Sequence, residues 1–153
     1  MQIETKLKEL GLELPPPGKP VANYVLAVRS GNLIFLSGHG PISKDGSWIT
    51  GKVGADLTLE EGYQAARQTA LVLLTSLKEE IGNLDKVQRV VKLLGMVNCT
   101  PEFVDQPKVI NGASDLLVDI FGAKGKHARS AIGVNALPGN IAVEIEMIVA
   151  VEG

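Results

Sequence analysis

One cysteine and two histidines are all the thiol and imidazole groups that the 153 residues contain. Cys99 alone cannot form an internal disulfide. Its spacing from His39 and His127 resembles no zinc site, so no metal and a reducing compartment, the cytoplasm, are expected. Aromatic residues are equally scarce, at one tryptophan, two tyrosines and three phenylalanines, too few for a base-stacking platform. Fifteen basic against 17 acidic residues, a formal net charge of −2, leave no broad cationic surface for a phosphate backbone, so nucleic acid is not an expected partner. No stretch approaches the roughly 20 apolar residues of a membrane span. The opening MQIETKLKELG alternates charges without the apolar centre of a signal peptide, so no membrane partner is expected either.

What the chain has is aliphatic residues in readable patterns. Ile141, Val143, Ile145, Met147, Val149 and Val151 alternate with Ala142, Glu144, Glu146, Ile148 and Ala150, a strand with one wholly apolar face. Before it, Leu137-Pro138-Gly139-Asn140 suits a type II turn, with proline first and glycine where φ must be positive. Closed as a hairpin, that turn sets Glu144 opposite Gly133 and Glu146 opposite Ala131, and puts Arg129 on the same face as both glutamates. Such a face is either a small-ligand floor or a solvated surface with an incidental ion pair.

Earlier, Ile3, Leu7 and Leu10 mark a short helix closed by Gly11, and Pro15-Pro16-Pro17-Gly18 a stiff connector, together an N-terminal arm over residues 1–20. YVLAVRSGNLIFLSG reads as a hairpin turning at Ser30-Gly31-Asn32, and WITGKV as a short strand. Thr58 with Glu61 is a capping-box signal. It opens a long helix with Leu59, Tyr63, Ala66, Ala70, Leu73, Leu74, Leu77 and Ile81 on one stripe. Val87 to Cys99 is a strand apolar at both parities, as if covered on both sides. Gln106-Pro107 opens a second long helix stopped by Gly122, and Ala123–Lys126 reads as a solvated cationic connector. The sum is a single α+β domain over 1–153, a sheet with two helices on one face. Leu94, Met96 and Ile148 remain uncovered on the other, which argues for an oligomer formed through the sheet.

NLIFLSGHGPI, Asn111 in the second long helix and, above all, ARSAIGV followed by LPGNIAVEIEMIVAV resemble the reactive intermediate deaminases, the Rid or YjgF-like proteins also labelled endoribonuclease L-PSP. The resemblance runs from about residue 21 to the end; the arm before it is similar to that of a longer-chain subgroup. It implies a chorismate-mutase-like fold, a homotrimer around a central barrel with sites at subunit interfaces, and no cofactor. The implied activity is hydrolysis of enamine and imine intermediates of the 2-aminoacrylate type to 2-keto acids and ammonia. By that resemblance Arg129 grips the substrate carboxylate, Glu144 holds or activates water, Tyr24, Ser37 and Asn111 line the cleft, and the Ala131 amide adds a donor.

The sequence departs from the family pattern in three places. Ala131 stands where a cysteine is common, His39 follows Ser37-Gly38 where an uncharged polar residue is common, and His127 stands where proline is frequent. His39 is either an acid/base group or a polar strand-end residue, and Cys99 reads as core. Two rival functions accompany the deaminase: a non-catalytic binder of a small carboxylate such as a keto acid or amino acid, and an endoribonuclease, which the charge and aromatic content disfavour.

Overall fold

The computed structural model describes residues 2–20 and 22–153. Five strands form one sheet: β1 (Ala27–Ser30), β2 (Leu33–His39), β3 (Val87–Asn98), β4 (Ala128–Val134) and β5 (Val143–Val151), in the order β1-β2-β5-β3-β4. α2 (Leu59–Ile81) and α3 (Gln106–Phe121) cover one face, and the short α1 (Gln2–Glu9) lies outside them. This is the α+β arrangement expected, with both long helices on one side.

Local sequence accounts for the helices. Thr58 and Glu61 close a reciprocal capping box, Oγ1 accepting from the Glu61 amide at 3.1 Å and the Glu61 carboxylate accepting from the Thr58 amide at 3.0 Å. From there Ala66, Ala70, Leu73, Leu74 and Leu77 run fully buried along α2 until Gly82 ends it at φ 83°. α3 buries Val109, Ile110, Ala113, Leu116 and Leu117 completely. The long helices meet across Gly112, where an added Cβ would lie 2.0 Å from the Tyr63 carbonyl oxygen.

β5 shows its apolar parity as expected, with Val143, Ile145, Met147, Val149 and Val151 all buried under the helices. Its neighbours differ from the expectation. The Leu137–Asn140 turn forms, with Gly139 at φ 62° and the Asn140 amide on the Leu137 carbonyl at 3.0 Å. Yet it joins no hairpin. β4 pairs in parallel with β3, and β5 inserts antiparallel between β2 and β3. A parallel pair needs a long crossover, and α3 supplies it between β3 and β4.

This register corrects the face assignment. Leu93 pairs with both Arg129 and Met147, so Arg129 shares the helix-covered side with the core. Met96 pairs with Glu144 and Leu94 with Glu146, which puts the glutamates on the opposite, open side. Glu144 and Glu146 do share a face; Arg129 does not belong to it.

β3 is covered on one side only. Its two register shifts, between Val87 and Arg89 and between Val90 and Lys92, switch the parity of the buried residues from Val87 to Val90 and then to Leu93, Gly95 and Val97. Bulges of this kind explain apolar residues at both parities without a second layer. WITGKV forms isolated bridges, such as Thr50 to Ile141, rather than a strand, because the chain turns at Gly51 with φ 123°. The arm straps the helical layer: the Gln2 and Ile3 amides donate to Asp85, Leu7 is buried, Lys78 pairs with Glu4, and Thr75 donates to the Pro15 carbonyl. Among the described residues no helix is long and apolar enough to cross a membrane.

Candidate active site

Arg129 rises from edge strand β4 beneath α3 and is half-buried. Its Nη1 donates to Asn111 Oδ1 at 2.8 Å and to Ser114 Oγ at 3.1 Å. Asn111 and Ser114 stand three apart on α3 and so face the same way. Nη1 has two hydrogens, and both are used. Among the described residues the Nε and Nη2 hydrogens have no partner. These lie side by side along one edge of the guanidinium, the arrangement that receives a carboxylate through two parallel bonds.

Ala131 is the next residue on the same side of β4. The Val134 carbonyl faces β3, accepting from the Cys99 amide at 3.3 Å. Backbone groups alternate along a strand, so the amides of Ala131 and Gly133 point out from the free edge of the sheet. Arg129 and Asn111 are therefore in contact, and the Ala131 amide opens from the same strand.

The remaining candidates lie elsewhere. Glu144 projects from the open face onto Gly38, so close that a Cβ there would sit 2.1 Å from Glu144 Oε2. Burial, and then the charge of Glu146, push its carboxyl above the ordinary range. β3 separates β5 from β4, which puts Glu144 about 10 Å from the Arg129 strand across the sheet as well as on its other side. Within one chain the two cannot hold the same small molecule.

Ser37 lies near Glu144 on β2 but spends its hydroxyl hydrogen on the Val25 carbonyl at 2.6 Å. Tyr24 is 45% exposed ahead of β1, and its hydroxyl has no partner among the described residues. On the same open face Val28, Phe35, Leu94, Ile148, Lys92 and Glu146 line a hollow of about 280 Å³.

His39 does not join either group. It is 6% exposed at the end of β2, with Nε2 on Ser76 Oγ of α2 at 2.7 Å and Nδ1 against the Ser37 carbonyl. Burial holds it below the usual histidine range. Of the two roles left open for it, this is the environment of a satisfied strand-end histidine. Its ring is neutral when folded and more readily protonated when unfolded. Its contribution to stability is therefore complete above its unfolded value of about 6.5 and declines as pH falls below that. Chemical denaturation between pH 7.5 and 5 should show stability falling in wild type and falling less steeply in His39→Gln; equal slopes would show that His39 does not cause the decline.

Sequence reasoning missed Ser114, for which only the three-residue step from Asn111 was a signal, and undervalued His127. His127 Nε2 lies 2.9 Å from Ser114 Oγ, and Nδ1 lies 2.7 Å from the Gly125 carbonyl. Residues 122–125 are a 3₁₀ turn packed under α3, so close that a Cβ on Gly125 would meet the Leu117 carbonyl oxygen at 2.2 Å. They are a turn anchored at Gly125, with Ala123, Lys124 and Lys126 exposed to solvent as expected of a connector.

A five-stranded mixed sheet with two long helices on one face and an acidic and apolar face left open defines an α+β class of domain. The model of the family described as "YjgF/chorismate mutase-like, putative endoribonuclease" matches residues 4–150, and the chain belongs to that family. It is 44% identical to Protein TCP17 of Trypanosoma cruzi over 97% of this chain and 93% of that protein. It is 30% identical to a 2-iminobutanoate/2-iminopropanoate deaminase of the mite Dermatophagoides farinae, over 92% of this chain and 95% of that one. A crystal structure of an Agrobacterium tumefaciens protein of unknown function superposes with a TM-score of 0.91 at 44% identity, covering 99% of this chain and 94% of that one.

Proposed function

We propose that this protein hydrolyses imines of 2-keto acids, the products of enamine tautomerisation, to the 2-keto acid and ammonia. The carrying observation is the geometry of Arg129, whose Nη1 is tied down by Asn111 and Ser114 while its Nε/Nη2 edge is left for a carboxylate. The 30% identity to the mite deaminase supports the choice of reaction. In this reading Arg129 and the Ala131 amide hold the substrate carboxylate. Water adds to the C=N carbon, and its proton passes through Glu144 to the imine nitrogen to give a carbinolamine; the carbinol hydroxyl proton then passes by the same carboxylate to that nitrogen as the carbonyl forms, the C–N bond breaks and ammonia leaves. A carboxylate raised by burial suits both halves of that transfer. An imine carbon is already electrophilic, so the scheme needs no cofactor.

Because Arg129 and Glu144 lie on opposite sides of the sheet, the scheme requires two copies of the chain. We take the assembly to be a homotrimer acting in the cytoplasm, with the open faces of the sheets turned inward and Tyr24, Ser37 and Glu144 of one copy brought to the β4 edge of the next. The exposed apolar residues of that face, Val28 and Phe35 among them, support such a seam. One observation favours a second reading, a carboxylate binder without turnover: the arginine clamp is complete in a single chain, whereas the glutamate is not.

Release of ammonia from freshly generated 2-aminoacrylate separates the two. Glu144→Gln is expected to lower kcat by about 10²-fold with a smaller change in KM, and to remove the acid limb of the pH profile. If kcat and its pH dependence are unchanged in that variant, Glu144 has no part in proton transfer. No turnover by wild type, with 2-oxobutyrate bound in calorimetry, selects the binder.

A further inference from the structure

Ser114 and His127 belong to no role considered so far, yet Ser114 meets the guanidinium that the proposed reaction depends on, and His127 meets Ser114. Hydrogen-bond chemistry fixes every proton in the chain from Gly125 to Arg129. The Gly125 carbonyl can only accept, so His127 Nδ1 must carry the hydrogen of that 2.7 Å contact. In the neutral ring Nε2 is then the acceptor, and the 2.9 Å contact is a bond donated by the Ser114 hydroxyl. With its proton committed to His127, Ser114 Oγ has only lone pairs to offer Arg129 Nη1, 3.1 Å away. The ring stays neutral because burial, and then the charges of Arg129 and Arg89, hold His127 below the usual histidine range, although the Gly125 carbonyl acts the other way. The nearby carboxylate on α3, Asp115, accepts from the Tyr63 hydroxyl at 2.7 Å instead.

We propose that Ser114 and His127 are positioning residues for Arg129: His127 holds the Ser114 hydroxyl so that its lone pairs face Nη1, and the guanidinium thereby presents its Nε/Nη2 edge outward. A serine inside a helix otherwise tends to turn its hydroxyl back to the carbonyl four residues earlier. That rotamer would leave Nη1 one acceptor short, free to compete with Nε and Nη2 for a ligand. Asn111 by itself fixes one hydrogen of Nη1 and leaves the plane free to pivot about it. Two acceptors on one nitrogen fix the plane. His127, at the end of an anchored turn, extends that constraint back to the backbone at Gly125.

This inference rests on Arg129 being a carboxylate clamp, and its test separates the two ideas. Calorimetry with 2-oxobutyrate at pH 7.5 would compare wild type with Arg129→Ala, Ser114→Ala, His127→Leu and His127→Gln, each checked by thermal melting. Ser114→Ala should raise Kd on the order of tenfold, the loss of one charge-assisted bond. His127→Leu should raise it about threefold to fivefold, within the range of a neutral hydrogen bond. Glutamine, whose amide oxygen can accept from Ser114, should recover most of what leucine loses, a rescue that a mere packing role would not show. If Arg129→Ala loses binding while Ser114→Ala and His127→Leu bind as tightly as wild type, the positioning role is overturned and the clamp stands. If wild type binds no better than Arg129→Ala, the clamp is overturned and the positioning role falls with it. Imidazole nitrogen NMR supplies a readout free of any ligand: Nδ1 protonated and Nε2 bare is the expected tautomer, and a proton found on Nε2 overturns the proposal.

Discussion

Replacing Arg129 by alanine should reduce affinity for 2-oxobutyrate, and kcat/KM for 2-aminoacrylate-derived imine, by about 10³-fold, the combined loss of two charge-assisted bonds to one carboxylate. Arg129→Lys keeps the charge but not the planar fork, and should stay at least about tenfold below wild type. Titration calorimetry and coupled ammonia release report the two quantities. Normal affinity in the alanine variant would remove Arg129 from the site. Little structural damage is expected from the substitution, because the side chain is half-buried at a sheet edge and its partners Asn111 and Ser114 can turn to water.

The second large effect is on stability and comes from a residue with no side chain. At Gly112 an added methyl would lie 2.0 Å from the Tyr63 carbonyl oxygen, 2.9 Å from its carbon and 3.0 Å from the Arg67 nitrogen, all backbone atoms of α2. No rotamer can relieve backbone contacts, so the long helices must separate. Alanine in place of glycine within a helix would by itself add about 1 kcal/mol, but overpacking of this kind costs about 3 kcal/mol and wins. The net loss of about 2 kcal/mol should lower Tm in Gly112→Ala by about 6 °C for a chain of this length. Because Asn111 and Ser114 flank Gly112 on α3, carboxylate affinity should fall with it. A Tm within about 2 °C of wild type would mean that the helix contact is looser than these distances imply.

Much of this architecture could be read from residues. The α2 stripe, the Thr58 capping box, the α3 boundaries and the buried parity of β5 follow from periodicities of 3.6 and 2 and from side chains that satisfy helix ends, all short-range signals. Arg129 and Asn111 were also singled out, and the two are in contact. What could not be read was which strands are neighbours. A well-formed turn at Leu137–Asn140 suggests a hairpin, yet nothing local to β4 or β5 reveals that β3, about 40 residues earlier, will lie between them. That single omission moved Arg129 to the wrong side of the sheet. The bulges in β3 hid its true facing for the same reason, since a parity switch in the structure looks like two-sided burial in the sequence. Ser114 and His127 escaped notice because neither residue type is unusual at a helix surface or a strand entrance; their meaning lies in a 2.9 Å contact across the β3–α3–β4 crossover.

The insertion of β5 between β2 and β3 also divides the molecule by what depends on that strand. β1 pairs with β2 and β3 with β4, and the fifth strand alone joins one pair to the other across the sheet. Without it the sheet is two separate ribbons, and the apolar undersides of α2 and α3 have only part of their floor. The hydrogen bonds around Arg129, contained within residues 111–129, use no residue of β5. The face that carries Glu144 is built on it. The two groups of candidate residues thus differ in their dependence on the last strand of the sheet.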